Sequence, residues 1–196
     1  MQKNTLKLYC FVDDYNLSDL SKLDKYINVI YRNYDNPHHL DTIVKLKKFC
    51  KKNKNNFFLS NNFKLAVKFS LDGVYIPSFN KCISCVGKYS LHKNFKIIGS
   101  AHNISEVNVK IKQKCEEIFL SPIFKVNKSK KFLGICKFNM ITINKKTNFI
   151  ALGGISEDNY KMIKLTNSKG LASISWAKKN GLRKISGRFK FNNSFN

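Results

Sequence analysis

The chain has 196 residues, 43% of them hydrophobic, with sixteen Phe, eight Tyr and a formal charge of +24. That supplies one core of moderate size, and no apolar run reaches the roughly 18–20 residues needed to cross a bilayer. The charge points to a phosphate-rich partner (nucleic acid, an anionic membrane or a phosphorylated metabolite); dispersed Lys with abundant Asn, Ile and Phe equally fits the coding bias of an AT-rich genome and a solvated surface.

The opening "MQKNTLKLYCFVDDY" has no long apolar stretch or small-residue cleavage site, so no secretory leader is expected and the cytoplasm is the expected compartment. "LKLYCFV" (6–12) reads as a strand, "LSDLSKLDKY" (17–26) as a helix and "INVIYRN" (27–33) as a second strand. A helix over 39–52 follows Pro37, with Leu40, Ile43, Val44, Leu46 and Phe49 near helical spacing. A strand at 57–60, a helix at 62–70 and a strand at 73–77 come next, and 78–94 is short and irregular for a full helix. The alternation resumes with a strand at 95–102, a helix at 104–115, a strand at 117–124, the basic loop "KVNKSKK" and a helix within 136–146. It ends with a strand at 149–155, a helix at 156–166 whose first turn holds Glu157 and Asp158, and a strand at 170–176.

Eight strands, most of them followed by a helix, imply parallel pairing and right-handed crossovers. The expected fold is a compact (β/α)₈ TIM barrel over residues 1–178, with a basic, loosely attached tail at 179–196; an open doubly wound sheet is the competing architecture. Six Cys contain one CxxC, Cys82 and Cys85, but no second pair or His pair at zinc-finger spacing, so reduced, unligated thiols are expected.

A barrel gathers its chemistry at the C-terminal ends of its strands. Those ends deliver Arg32, then Ser60, Asn61 and Asn62, Ser78 and Asn80, Ser100 and His102, Ser121 with Lys125, Lys128, Ser129, Lys130 and Lys131, Gly153 and Gly154, and Ser173 and Ser175. This rim is rich in donors and cations and nearly free of carboxylates. Paired glycines leading into a helix can present backbone N–H groups to a phosphate, and Arg32 can grip one with its planar fork. Each signal is common alone; their convergence favours an anionic, phosphorylated ligand. His102 reads either as a general acid or base or as a residue that holds its loop. His38 and His39 read as loop residues.

The motifs "YRNYD", "LAVKFSLDGVYIP", "IIGSAHN", "LSPIFKVNKSKKFLG", "IALGGISEDN" and "GLASISWA", over about residues 27–178, resemble the thiamine phosphate synthase family, which includes the thiazole tautomerases. The resemblance implies a (β/α)₈ barrel and an enzyme that joins a hydroxymethylpyrimidine diphosphate to a thiazole phosphate, releasing pyrophosphate. It implies Arg32 as the pyrophosphate-binding Arg, Ser100 as the Ser before His102, and Lys130 with Ser129 as the phosphate loop. It implies Gly153, Gly154, Ile174 and Ser175 as contacts of the thiazole phosphate. Lys130, His102 and Ser100 are thus the candidate catalytic residues, and Arg32, Asn61, Asn80, Ser129, Gly153, Gly154, Ile174 and Ser175 the candidate substrate-binding ones.

The chain also departs from the family pattern. Where the family keeps magnesium-binding acids after the third and fourth strands it has Asn61 and Asn80, so magnesium is the one cofactor raised and its site is weakened. Tyr34 stands in place of a Lys, Lys125-Val126 in place of Pro-Thr, and Pro122 where the tautomerases carry His. The partners implied are phosphorylated small molecules, not a membrane, and a homo-oligomer stays open. The alternatives are a metal-free thiazole phosphate tautomerase or phosphate-ligand-binding paralogue and, behind it, a basic RNA-binding protein suggested by "RFKF" in the tail.

Overall fold

A computed structural model describes residues 6–25, 27–36, 39–84, 86–127, 131–174 and 176–177. Its strands are β1 (Lys7–Val12), β2 (Asn28–Tyr31), β3 (Phe57–Ser60), β4 (Gly73–Ile76), β5 (Lys96–Ala101), β6 (Glu117–Leu120), β7 (Asn148–Leu152) and β8 (Gly170–Ser173). All pair in parallel with their sequence neighbours, and β1 pairs with β8, closing the barrel. The open-sheet alternative therefore falls. Between the strands lie α1 (Leu17–Leu20), α2 (Leu40–Asn53), α3 (Phe63–Lys68), α4 (Ile104–Lys112) and α5 (Gly134–Thr142), with short 3₁₀ helices at Val86–Lys88 and Tyr160–Leu165. No helix among the described residues is long and apolar enough to cross a membrane.

The strands read as unbroken apolar runs because both of their faces are covered. Alternate residues point inward: Tyr9, Phe11, Ile30, Phe58, Tyr75, Ile98, Phe119, Ile150, Leu152 and Ala172 fill the barrel. The other set, including Val29, Leu59, Val74, Ile118 and Leu171, meets the helices. Rings dominate the interior and pack edge-on, with centroids 4.8 Å apart for Tyr9–Phe119, 5.3 Å for Phe11–Tyr75 and 5.7 Å for Tyr75–Phe119. At the N-terminal end of the barrel the buried Glu117 carboxylate accepts hydrogen bonds from Lys7 Nζ and the Tyr9 hydroxyl. Burial first, and then the Glu117 charge, push the Tyr9 phenol far above its ordinary pKa, so it stays a donor.

Asparagines start three of the helices. Asn16, Asn62 and Asn103 each accept a backbone N–H of the first turn. Two helices differ from the expected ones. The 17–26 segment is helical only over Leu17–Leu20, because Lys22 and Leu23 then bond back to the carbonyls of Asp19 and Leu20 in tighter turns. The 156–166 segment gives only the 3₁₀ helix Tyr160–Leu165. There Asn159 accepts from Ser156 N–H and donates to Gly154 O, which fixes residues 154–159 as a turn. The expected strand 117–124 ends at Leu120, before the cis Ser121–Pro122 bond. The barrel and tail boundary expected near residue 178 lies outside the described residues, as do Cys85 and His38.

Glu117→Ala leaves the buried Tyr9 hydroxyl without its acceptor and should cost about 2–3 kcal/mol in urea unfolding, with Glu117→Gln costing roughly half as much because an acceptor remains.

Candidate active site

The site begins with Arg32, just past β2. Its N–H donates to Val12 O at 2.8 Å, and its guanidinium lies 4.6 Å from the Phe11 ring centroid and 5.6 Å from that of Tyr34. The buried Tyr75 phenol lies near enough to Ser100 and Arg32 for both to favour its charged form. Burial is nevertheless the main effect and pushes the phenol up to about 12, so it stays protonated. Ser100, expected as a catalytic residue, is only 5% exposed.

Opposite Arg32, the chain leaves β7 through Gly153 and Gly154, with φ of +92° and +70°. A Cβ on Gly154 would sit 2.5 Å from Lys125 O, and one on Gly153 2.8 Å from Pro122 Cα. The 122–125 loop is drawn onto this turn by Ile123 N–H to Leu152 O (2.9 Å) and Phe124 N–H to Gly153 O (3.1 Å). Only glycine fits both the left-handed backbone and the close approach. Arg32, Lys125, Gly153, Gly154, Ser173 and Ile174 line a cavity of about 650 Å³. Two cations and no carboxylate face it among the described residues. Sequence reasoning missed Asn159, which ties the turn from behind through Gly154 O and Ser156 N–H.

Asn61 and Asn80 meet on the β3–β4 side of the mouth. Asn61 adopts the left-handed backbone (φ +57°), which asparagine tolerates, and its N–H donates to Tyr75 O at 2.8 Å. Asn80 Nδ2 donates to Asn61 Oδ1 at 2.6 Å, and Asn80 Oδ1 accepts Cys82 N–H at 2.9 Å. These donors do not fit a magnesium ion: the residues are neutral, and both amide oxygens already accept hydrogen bonds. No group of three His, Cys, Asp or Glu able to hold a metal occurs among the described residues.

The loop carrying Asn80 is held from outside the barrel. Lys110 of α4 is fully buried and donates to Pro77 O (2.7 Å), Asn80 O (2.8 Å) and Gln113 Oε1 (2.9 Å). Gln113 Nε2 donates to Asn80 O and Cys82 O, both at 3.0 Å. Gly99 makes room for the Lys stem, since a Cβ there would lie 2.9 Å from Lys110 Cδ. Burial lowers the Lys110 amine to about 8.

His102 stands apart from the cavity. Its Nδ1 lies 2.9 Å from Ser121 O and 3.2 Å from Ser121 Oγ, and its backbone N–H donates to Glu106. The ring thus holds the chain just before Pro122. Cys50, Cys115 and Cys136 are free thiols. Ser129, Lys130 and Ser175 lie outside the described residues, as does Lys128.

Residues 24–177 match the thiamine monophosphate synthase family. The chain belongs to that family. It is 29% identical over 154 residues to the thiamine-phosphate synthase of Prochlorococcus marinus subsp. pastoris (strain CCMP1986 / NIES-2087 / MED4), covering 77% of this chain and 43% of that protein. To the enzyme of the same name from Prochlorococcus marinus strain SARG / CCMP1375 it is 33% identical over 134 residues, 66% of this chain and 38% of that protein. The chain therefore spans less than half the length of these curated relatives. The barrel superposes on thiamine phosphate pyrophosphorylase from Pyrococcus furiosus with a TM-score of 0.75 at 20% identity, over 95% of this chain and 98% of that one. N-(5′-phosphoribosyl)anthranilate isomerase from the same organism also matches, with a TM-score of 0.63 at 11% identity over 90% and 92%. At such identities the likeness shows the fold alone.

Lys110→Met removes the donor that holds Pro77 O and Asn80 O and should destabilise the protein by about 1–3 kcal/mol at neutral pH. The native amine is depressed below its unfolded value, so the unfolded chain binds more protons between about pH 8 and the ordinary lysine range. The Lys110 charge penalty is therefore complete below pH 8 and relieved as pH rises through that window. Melting curves across it should show this relief in the native sequence and not in Lys110→Met.

Proposed function

We propose that this barrel is a thiamine phosphate synthase-type transferase acting in the cytoplasm on phosphorylated small molecules. In this reading it joins a hydroxymethylpyrimidine diphosphate to a thiazole phosphate. The carbon–oxygen bond of the pyrimidine methylene breaks, its electron pair leaves with pyrophosphate, and the thiazole nitrogen attacks the resulting cation. The observation that carries the reading is the cavity between Arg32 and Gly153–Gly154, with two cations and no carboxylate among its described lining residues and bare glycine backbone, in a chain of this family. Arg32 takes the departing pyrophosphate, and Gly153, Gly154, Ile174 and Ser175 hold the thiazole phosphate. Lys130 and Ser129 are assigned as the phosphate loop from the family resemblance. Ser100, near the Tyr75 phenol, completes the catalytic set, and His102 sets the loop that packs on the glycines.

The Asn61–Asn80 hydrogen bond supports a second reading, a phosphate-ligand-binding or tautomerase paralogue without synthase activity. A tautomerase would need a proton-transfer group, and His102 Nδ1 is committed to Ser121.

Incubating the purified chain with both substrates, with and without magnesium, should yield thiamine phosphate; no product in either condition excludes the synthase. In the active case Arg32→Ala should lower kcat/KM by about 10²-fold or more, and Gly154→Ala should weaken thiazole phosphate binding while lowering the melting temperature.

A further inference from the structure

The opposite end of the barrel, where the strands begin, is also polar. Strand parity sends Lys7, Asn28, Lys96 and Glu117 inward, each two residues before buried Tyr9, Ile30, Ile98 or Phe119. Gly170 pairs in register with Lys7 and Gly73 with Lys96, so beside each lysine the neighbouring strand adds no side chain. The layer that would close the barrel from below is left open. What remains is a cavity of about 400 Å³, lined in part by Lys7, Lys25, Lys54, Lys96 and Glu117.

Its charge is one-sided. Glu117, the one acid among its described lining residues, is 1% exposed and already accepts hydrogen bonds from Lys7 and the Tyr9 hydroxyl. Lys25, Lys54 and Lys96 make no ion pair among the described residues. Lysines spread evenly over the surface would not give this pattern, since a smaller cavity past the end of β1 is lined by Asp13, Asp14 and Asp19 and by no lysine. Lys54 sits just past α2 in the left-handed backbone (φ +58°), where glycine is preferred, so its exposed side chain is carried at a cost in stability.

We propose that this basal cavity is a second anion site, built for a small polyphosphate. Separate ammonium charges around one cavity suit a ligand whose negative charge is spread over several phosphoryl groups. No guanidinium fork stands among the described lining residues to favour a lone carboxylate. Glu117 repels an anion, but Lys7 offsets its charge, which leaves Lys25, Lys54 and Lys96 in surplus. The site lies at the far end of the barrel from Arg32 and does not rest on the functional reading above.

The test is calorimetric titration with inorganic triphosphate at about 0.15 M salt, where diffuse surface attraction is screened. The proteins are the native chain, Arg32→Ala, and Arg32→Ala carrying either Lys25→Ala/Lys54→Gly or Lys64→Ala/Lys161→Ala. The last pair removes the same charge from exposed positions that line neither cavity. Binding should persist in Arg32→Ala, weaken about ten-fold or more with Lys25→Ala/Lys54→Gly, and change less than about two-fold with the control pair. Lys54→Gly alone should raise the melting temperature while lowering affinity, opposite signs that a merely structural lysine would not show. Both pairs are also made in the native chain, so their comparison does not depend on how well Arg32→Ala folds. Binding that vanishes in Arg32→Ala belongs to the upper cavity and would overturn the proposal. Equal losses with the two lysine pairs, or no binding by any of these proteins, would overturn it as well.

Discussion

Phe11, Tyr75 and Phe119 meet edge to face in the barrel, and Arg32 lies over Phe11 with the Tyr75 phenol nearby. The cation is thus held on the barrel core, and it makes no ion pair with an acid among the described residues. A guanidinium on ring faces with a phenol beside it keeps its charge uncancelled, which a salt bridge would not. The closed barrel is what makes this arrangement available, because parity sends a ring inward from three different strands at one height. The Arg, the cavity it lines and the neighbouring Tyr34 all depend on that floor.

The mouth then divides by charge. On one side Arg32 and Lys125 face glycine backbone. On the other, two asparagines bond each other, where carboxylates at the same 2.6 Å would repel without a cation between them. The amide pair is therefore a self-sufficient contact, stable without a metal, and it shapes the mouth by hydrogen bonding instead of by ionic attraction. That division gives physical content to the family membership, since the half with cations and glycines keeps the residues the resemblance implies and the other half departs from them.

The barrel was readable because strands covered on both faces appear as short apolar blocks such as "FFLS", "GVYI" and "EIFL". Arg32, Asn61, Asn80, Gly153 and Gly154 were readable as strand-end residues once the topology was assumed. Lys110 was not. Between Val109 and Ile111 on a helix of a strongly basic chain it looks like one more surface lysine, and only the notch at Gly99 and three waiting acceptors explain its burial. Tyr75 read as an apolar strand residue, and its nearness to Arg32 follows only once the barrel brings β2 and β4 to one height. The shortened helices at Leu17–Leu20 and Tyr160–Leu165 turn on local hydrogen-bond choices, Asn159 above all, that periodicity does not encode.

The buried Lys110 has one more consequence. Its amine is sealed behind the very carbonyls it holds, while most lysines of this chain lie in water. An amine-acylating reagent will label those at once and reach Lys110 only when the Pro77–Cys82 segment swings away. The rate at which that one side chain is modified therefore clocks the opening of the loop that carries Asn80 and Phe79, and a ligand that seats on the loop would slow the clock.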